Sequence, residues 1–325
     1  AEFLLPDYRS IGAGAFGYLK KTWEKTTANA GIRYDYRSND GDGYEKGGKY
    51  VDKYKNNFSN ISFATGITHQ FNSHTNFKAN IGNAFRSPNP AELSSNGVHE
   101  GTFRYEIGNS KLKPEKTYQA DISIDYDKGI FSGSISFYTN LIKDYIYISS
   151  KKGDETADGM AIYRYGQIDA QLNGLEGQAS LKIAPNLSFE NIFSYTHAKN
   201  KTLDRPLPFI PSAQIKNSLK YTPKIIGLNT SYLKVGTDNC FKQNRVDREF
   251  ETSVAGYTLL NASVGTSIKF DSINIQAYIA GSNLLNKKYY DALSRLRPGR
   301  LDHNDLTLGI YNPGRNITFG IITSF

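Results

Sequence analysis

Sulfur is almost missing from this 325-residue chain: it has one cysteine (Cys240) and one methionine. A single thiol excludes an internal disulfide framework and leaves a cysteine-based zinc ribbon without its ligands. Long apolar runs are missing too. No stretch approaches the ~18 consecutive apolar residues of a membrane-spanning helix, which excludes a helical membrane protein. Mean hydropathy is −0.51, so hydropathy alone reads as soluble. The opening residues, AEFLLPDYRS, hold neither a basic segment nor a long apolar run, so no secretory signal peptide is expected within them. None of the five histidines sits in an HExxH or other metal-ligand spacing, and nothing fixes a catalytic triad, so no catalytic residues are assigned and no enzyme activity is expected. What is abundant is Tyr (23), Gly (29), Asn and Ser, the balance of a β-rich chain. The net charge of +8 is spread along the whole length, so it does not by itself choose between nucleic acid, anionic lipid and an acidic ligand.

The strongest pattern has period two. Between 117 and 126 the even positions read Tyr118, Ala120, Ile122, Ile124 and Tyr126, and the odd ones Thr117, Gln119, Asp121, Ser123 and Asp125. One face is apolar and the other polar, as a two-faced strand requires. Segments 28–37, 76–86, 257–270, 273–279 and 315–325 alternate in the same way. No long stretch carries a 3.6-residue period. Short turns are predicted at 23–25, 71–74, 127–129, 184–186, 223–226 and 271–272. Long polar connections are predicted at 38–56, 87–114, 149–160, 199–211, 237–255 and 291–314, and short and long take turns. About 13 strands result, each roughly ten residues or more, the length a tilted membrane-crossing strand needs.

Two architectures produce such alternation. A soluble sandwich, such as a lectin, buries the apolar face against a second sheet. A transmembrane barrel turns it to lipid, with tight turns at one end and long loops at the other. Charges on the polar face (Arg33, Asp35, Lys78, Asp121, Asp125) and the regular loop asymmetry favour the barrel. The carboxy-terminal strand, with Gly320 on the polar face and Phe325 at the end, resembles the assembly signal of outer-membrane proteins, although Thr323 stands where an apolar residue is usual. The first strand (10–21) and the last run the same way, so the count is odd. Bacterial single-chain barrels have even counts, so further strands are expected, upstream or on another chain.

Several runs resemble TonB-dependent outer-membrane receptors. AFRSPNPAEL at 84–93 is similar to that family's FRxPxxxEL junction between strand and loop. GNSKLKPEK at 108–116 is similar to its GNPxLKPE return. NLLNKKYY at 283–290 resembles NLFDKxYxD, GRNI at 314–317 resembles PGRxxxxG, and GIRYD at 31–35 resembles GxRYD. The resemblance implies an all-β, antiparallel transmembrane barrel in which residues 1–325 are the carboxy-terminal portion, about 13 of the ~22 strands of a plugged receptor. No plug sequence or energy-coupling box is visible. The implied activity is ligand capture at the outer loops and gated import across the outer membrane of a Gram-negative bacterium. The cargo would be a metal complex, either a ferric siderophore or haem, with zinc as an alternative; no resident cofactor is implied. The implied partners are the amino-terminal plug and strands of the same receptor, in cis or as a second chain, the TonB energy-coupling complex acting through that plug, and outer-membrane lipid and lipopolysaccharide. A passive porin, or a surface-binding barrel without energy coupling, is the alternative.

Candidate ligand-binding residues lie in two long connections. One holds His99, Glu100, Arg104, Tyr105 and Glu106; the other holds Arg295, Arg297, Arg300 and His303, just after Tyr289 and Tyr290. Guanidinium pairs bidentately with carboxylate or phosphate, so clustered Arg with Tyr suits a compact anionic ligand. A ferric chelate or haem fits, and so do lipopolysaccharide phosphates. His99 beside Glu100 reads either as a metal or haem ligand or as a solvated loop histidine. Nucleic acid is not expected, because the charges of the polar face alternate in sign.

Overall fold

A computed structural model describes residues 4–46, 49–100, 104–270, 273–294, 296–298 and 309–324. In chain order its strands are β1 (Tyr8–Trp23), β2 (Thr26–Gly41), β3 (Tyr44–Lys46), β4 (Lys49–Val51), β5 (Tyr54–Asn72), β6 (Thr75–Arg86), β7 (Asn96–His99), β8 (Arg104–Ile107) and β9 (Glu115–Lys128). They continue as β10 (Phe131–Glu155), β11 (Ala161–Ala184), β12 (Leu187–Asn200), β13 (Arg205–Pro206), β14 (Gln214–Tyr221), β15 (Thr230–Cys240), β16 (Tyr257–Phe270), β17 (Ile273–Ser282) and β18 (Asn316–Ser324). Among the described residues one short helix, α1 (Pro90–Ser94), accompanies them. Thirteen strands form a single antiparallel path, β1-β2-β5-β6-β9-β10-β11-β12-β14-β15-β16-β17-β18, in agreement with the strand count read from alternation. The remaining five belong to the connections.

Register places apolar residues on apolar residues from strand to strand. Ile122 faces Phe137, Ile124 faces Ile135, and the row Leu233–Val264–Ile279–Phe319 crosses four strands. These side chains are not a covered core: Val264 is 48% exposed and Phe319 is 74% exposed. A sheet with one continuous apolar face and, among the described residues, no second layer over it does not match a sandwich. It matches a wall whose solvent on that side is lipid. The opposite face carries cross-strand ion pairs, among them Lys78–Asp125 at 2.6 Å and Lys234–Glu190 at 2.6 Å.

On the polar face, tyrosines and glycines alternate across neighbouring strands. Tyr232 faces Gly265, Gly265 faces Tyr278, and Tyr278 faces Gly320. A Cβ at Gly265 would meet the Tyr232 ring, and one at Gly320 would overlap that of Tyr278. Tyr138 lies over Gly174 in the same manner. Each ring covers backbone that glycine leaves bare, which pins register between strands. Gly320, read from the sequence as part of an assembly signal, here gives a tyrosine its space. Phe325 lies outside the described residues.

Two connections differ from expectation. The stretch 149–160 was predicted as a loop, yet β10 and β11 stay paired out to Glu155 and Ala161. Tyr145, Ile146, Tyr147, Ile148, Ile162 and Tyr163 keep that hairpin rich in β-favouring side chains. A bulge between Ile142 and Tyr145, with Asp144 at φ 55°, swaps the faces of β10 beyond the wall. The stretch 87–114 contains α1, a helix too short to show a period. Its sequence signal is Asn89 with Glu92 three residues on and Pro90 between them, a capping box.

Candidate functional site

The folded connections gather at the long-loop end of the wall in two groups. The first is built around Arg86 at the end of β6. Its guanidinium donates to both oxygens of Glu115 (2.7 and 2.9 Å) and both of Glu92 (2.9 and 2.8 Å). Glu92 also accepts from the Asn89 backbone N–H at 2.8 Å, and Glu115 accepts from the Ile146 N–H at 2.6 Å. One arginine therefore ties β6, α1, the start of β9 and the extended β10 together. This gives the runs at 84–93 and 108–116 a joint structural purpose. Gly108 belongs to the same lock: its N–H donates to Ser95 O at 2.7 Å, and a Cβ there would press on the Ser94 N at 2.5 Å. Tyr54, Leu93, Leu112 and Ile146 pack beneath, with Tyr165 against them.

The β7–β8 hairpin follows, and β8 lies parallel to β11, with Tyr105 opposite Ile162. Arg104 pairs with Glu106 at 2.7 Å and stacks over the Tyr163 ring at 5.0 Å. Glu106 is buried and also accepts from the Tyr165 hydroxyl at 2.9 Å. Tyr105 donates its hydroxyl to Asn96 at 2.8 Å. Arg104, Tyr105 and Glu106 thus hold the hairpin against β11. His99 sits opposite Arg104 in the hairpin register, with exposed Glu100 after it. Among the described residues no group of three or more His, Cys, Asp or Glu side chains comes together to hold a metal.

The second group joins the connections 201–213, 241–256 and 283–315. Arg297 is 1% exposed. It donates to Glu251 at 2.6 Å, to Ala292 O at 3.1 Å and to Thr252 O at 3.2 Å. Glu251 also accepts from the Phe209 N–H at 2.8 Å. Arg297, expected to meet a ligand, is therefore turned inward as a bolt between three connections. Arg295, Arg300 and His303 lie outside the described residues. The run 283–290 is locked as tightly. Asn283 and Asn286 adopt left-handed backbone (φ 49° and 51°), a conformation asparagine tolerates. Asn283 bonds both backbone groups of Lys287 (2.8 and 2.9 Å), and Asn286 accepts from the Arg315 N–H at 3.1 Å.

Sequence reading missed a cleft in this second group, of about 620 Å³, lined by Arg205, Arg245, Asp247, Arg248 and Glu249 among others. Arg205 pairs with Asp247 at 3.0 Å and with Glu249 at 2.6 Å. The Arg205 hydrogen bond holds the Glu249 carboxyl below the usual carboxylate range, while burial pushes Asp247 upward. Both acids are thereby engaged by one arginine. Arg245 and Arg248 have no ion pair among the described residues, and Arg245 Nε is buried with no hydrogen-bond acceptor among them. The only sequence signal was two arginines three apart in NRVDREF at 244–250. A cleft with two uncommitted guanidiniums suits an anion.

A single antiparallel wall with an exposed apolar face, tight turns at one end and folded connections at the other defines part of a transmembrane β-barrel. Residues 5–284 match the family described as TonB dependent receptor-like, beta-barrel, and the chain belongs to that family. It is 24% identical to the probable TonB-dependent siderophore receptor PirA of Acinetobacter baumannii, over 91% of this chain and 40% of that protein. It is 21% identical to the ferrienterobactin receptor of Escherichia coli K12, over 93% of this chain and 41% of that one. The chain thus spans about two fifths of the length of these relatives. Its fold is similar to that of the copper transporter OprC, with a TM-score of 0.82 at 21% identity, covering 98% of this chain and 48% of the other. It is also similar to the ferric citrate transporter FecA, with a TM-score of 0.68 at 15% identity, covering 98% and 46%.

Proposed function

We propose that the chain forms wall and ligand-capturing loops of a Gram-negative outer-membrane receptor that imports an anionic metal complex, a ferric siderophore or haem, in a TonB-dependent manner. The observation that carries this reading is the cleft with Arg245 and Arg248 among its lining residues, open at the long-loop end. The names of relatives support the cargo class: siderophore, ferric enterobactin, ferric citrate and copper. Plug, preceding strands and the TonB complex are the partners this reading requires.

The test uses the complete receptor and equilibrium binding of ferric tris-catecholate and of haem. Arg245→Ala with Arg248→Ala removes two charge contacts worth about 0.5–1 kcal/mol each, so affinity for the true cargo falls roughly tenfold. His99→Ala in the same assay separates direct metal ligation from charge capture. Uptake of the labelled complex should stop when the energy coupling is abolished. Unchanged binding in the double variant rejects the site, and uptake that persists without coupling makes the barrel a passive porin.

A further inference from the structure

A second cleft, of about 670 Å³, lies elsewhere, on the outward side of the wall at the long-loop end. Its placement follows from strand parity. Ile215 and Asn217 share a face with Leu219, which pairs with the apolar-face residue Val235. Asn239 and Thr258 occupy that face on the next two strands, opposite each other. The Phe241 N–H donates to Ala213 O at 2.9 Å, so the ladder continues one bond past β15 and Phe241 stays on the same side. Ile215, Asn239, Phe241, Thr258, Lys242 and Lys287 all line the cleft.

The chemistry changes with height along this face. Leu219, Val235 and Val264 form the apolar belt. Above them comes a band of amides and a hydroxyl: Asn191 donates to Asn217 at 2.8 Å, and Thr258 donates to Asn239 at 3.0 Å. The Asn239 amide in turn donates to Ile215 O at 3.2 Å, which fixes the floor of the cleft. Lys242 and Lys287 stand at its mouth, exposed, and neither pairs with a carboxylate among the described residues. Apolar, then hydrogen-bonding, then cationic is the complement of an amphiphile with acyl chains, a polar core and phosphate. In a wall that spans the outer membrane, this position lies at the level of the headgroups of the outer leaflet.

We propose that this cleft binds a phosphorylated glycolipid of the outer leaflet, with Lys242 and Lys287 on its phosphates, its polar core on the amide band and its acyl chains running down toward Leu219, Val235 and Val264. The proposal rests on the reading of the chain as an outer-membrane wall. It is separate from cargo capture, because it uses the outward side of the wall and residues that the arginine cleft does not.

The test is native mass spectrometry of the complete, delipidated receptor titrated with diphosphoryl lipid A. Lys242→Gln with Lys287→Gln should weaken binding about tenfold, by loss of two charge contacts. Lys242→Arg with Lys287→Arg should retain binding. Lys25→Gln with Lys128→Gln, at the short-turn end, should match the parent. Dephosphorylated lipid A should bind the parent about as weakly as lipid A binds the glutamine variant, and inorganic phosphate at equal concentration should not displace lipid A. Equal binding of lipid A by the glutamine variant and the parent overturns the site. So does equal binding of the two lipids, displacement by free phosphate, or no binding at all. Failure of the underlying reading looks different: the parent then lacks heat-modifiable gel mobility in outer-membrane fractions, and the site falls with it.

Discussion

Arg86 and Arg297 each sit where connections meet the wall, and each spends its hydrogen-bonding capacity on carboxylates and carbonyls. For Arg297 the consequence can be measured. Truncation to alanine takes the Arg297 guanidinium away from Glu251, which is 3% exposed; breaking one side of a buried ion pair costs about 3–5 kcal/mol. The connections 241–256 and 291–298 should then exchange backbone hydrogen much faster in the complete receptor, while the strands keep their protection. Unchanged protection in 241–256 would show that the pair is not what holds them. Any fall in cargo affinity in that variant is then a positioning effect and not the loss of a contact. Sequence displayed the arginines but not their partners. Glu251 is 46 residues from Arg297, and Arg104, paired with Glu106, also stacks on a ring, Tyr163, from another hairpin. A charge in a loop looks the same in sequence whether it is offered to a ligand or buried against a distant acid. That is why the candidate site was only partly legible and why Arg245 and Arg248 passed unnoticed.

At the scale of the strand the sequence was far more informative, because a period of two survives any tertiary arrangement. The alternation from Tyr118 to Tyr126 alone assigns every side chain of β9 to a face, and the register with β10 agrees with it residue by residue. Alternation failed where the chain leaves the wall: β7, β8 and the outer part of the β10–β11 hairpin answer to packing against each other and to a bulge. The two faces make opposite predictions. Ile122→Arg or Ile275→Arg puts a charge into hydrocarbon, at about 2–4 kcal/mol near the midplane, and should reduce the heat-resistant folded band of the receptor. Asp121→Asn and Gln276→Ser alter only the polar face and should leave that band intact. Asp121 accepts from Asn80 at 2.8 Å, a bond that asparagine can keep. Equal tolerance on both faces would mean that the sheet does not sit in lipid.

The thirteen-strand path has two ends, β1 and β18. Each carries a row of backbone groups that lipid cannot satisfy, at several kcal/mol for every unpaired group in hydrocarbon. Only closure removes such edges. Every residue of β1 is exposed, and β1 carries large apolar or aromatic side chains on both faces: Leu19 and Trp23 lie on one, Phe16 (74% exposed) and Tyr18 on the other. The second pair lies on the side of the polar face, where Arg33 stands 6.0 Å from the Phe16 ring. A strand of that kind needs both a neighbour along its edge and cover from the interior of the barrel. Residues 1–325 refolded alone should therefore give a heterogeneous, heat-labile product instead of a closed pore. Supplying the strands and plug that the receptor reading requires, in the same chain or as a separate one, should restore a single heat-resistant species with β1 protected from hydrogen exchange. Size-exclusion profile and gel mobility decide between the two outcomes. A monodisperse, heat-resistant barrel built from these residues alone would require β1 to pair with β18. That pairing sets two strands of the same direction side by side, with Tyr18 and Phe16 left inside a barrel that nothing fills.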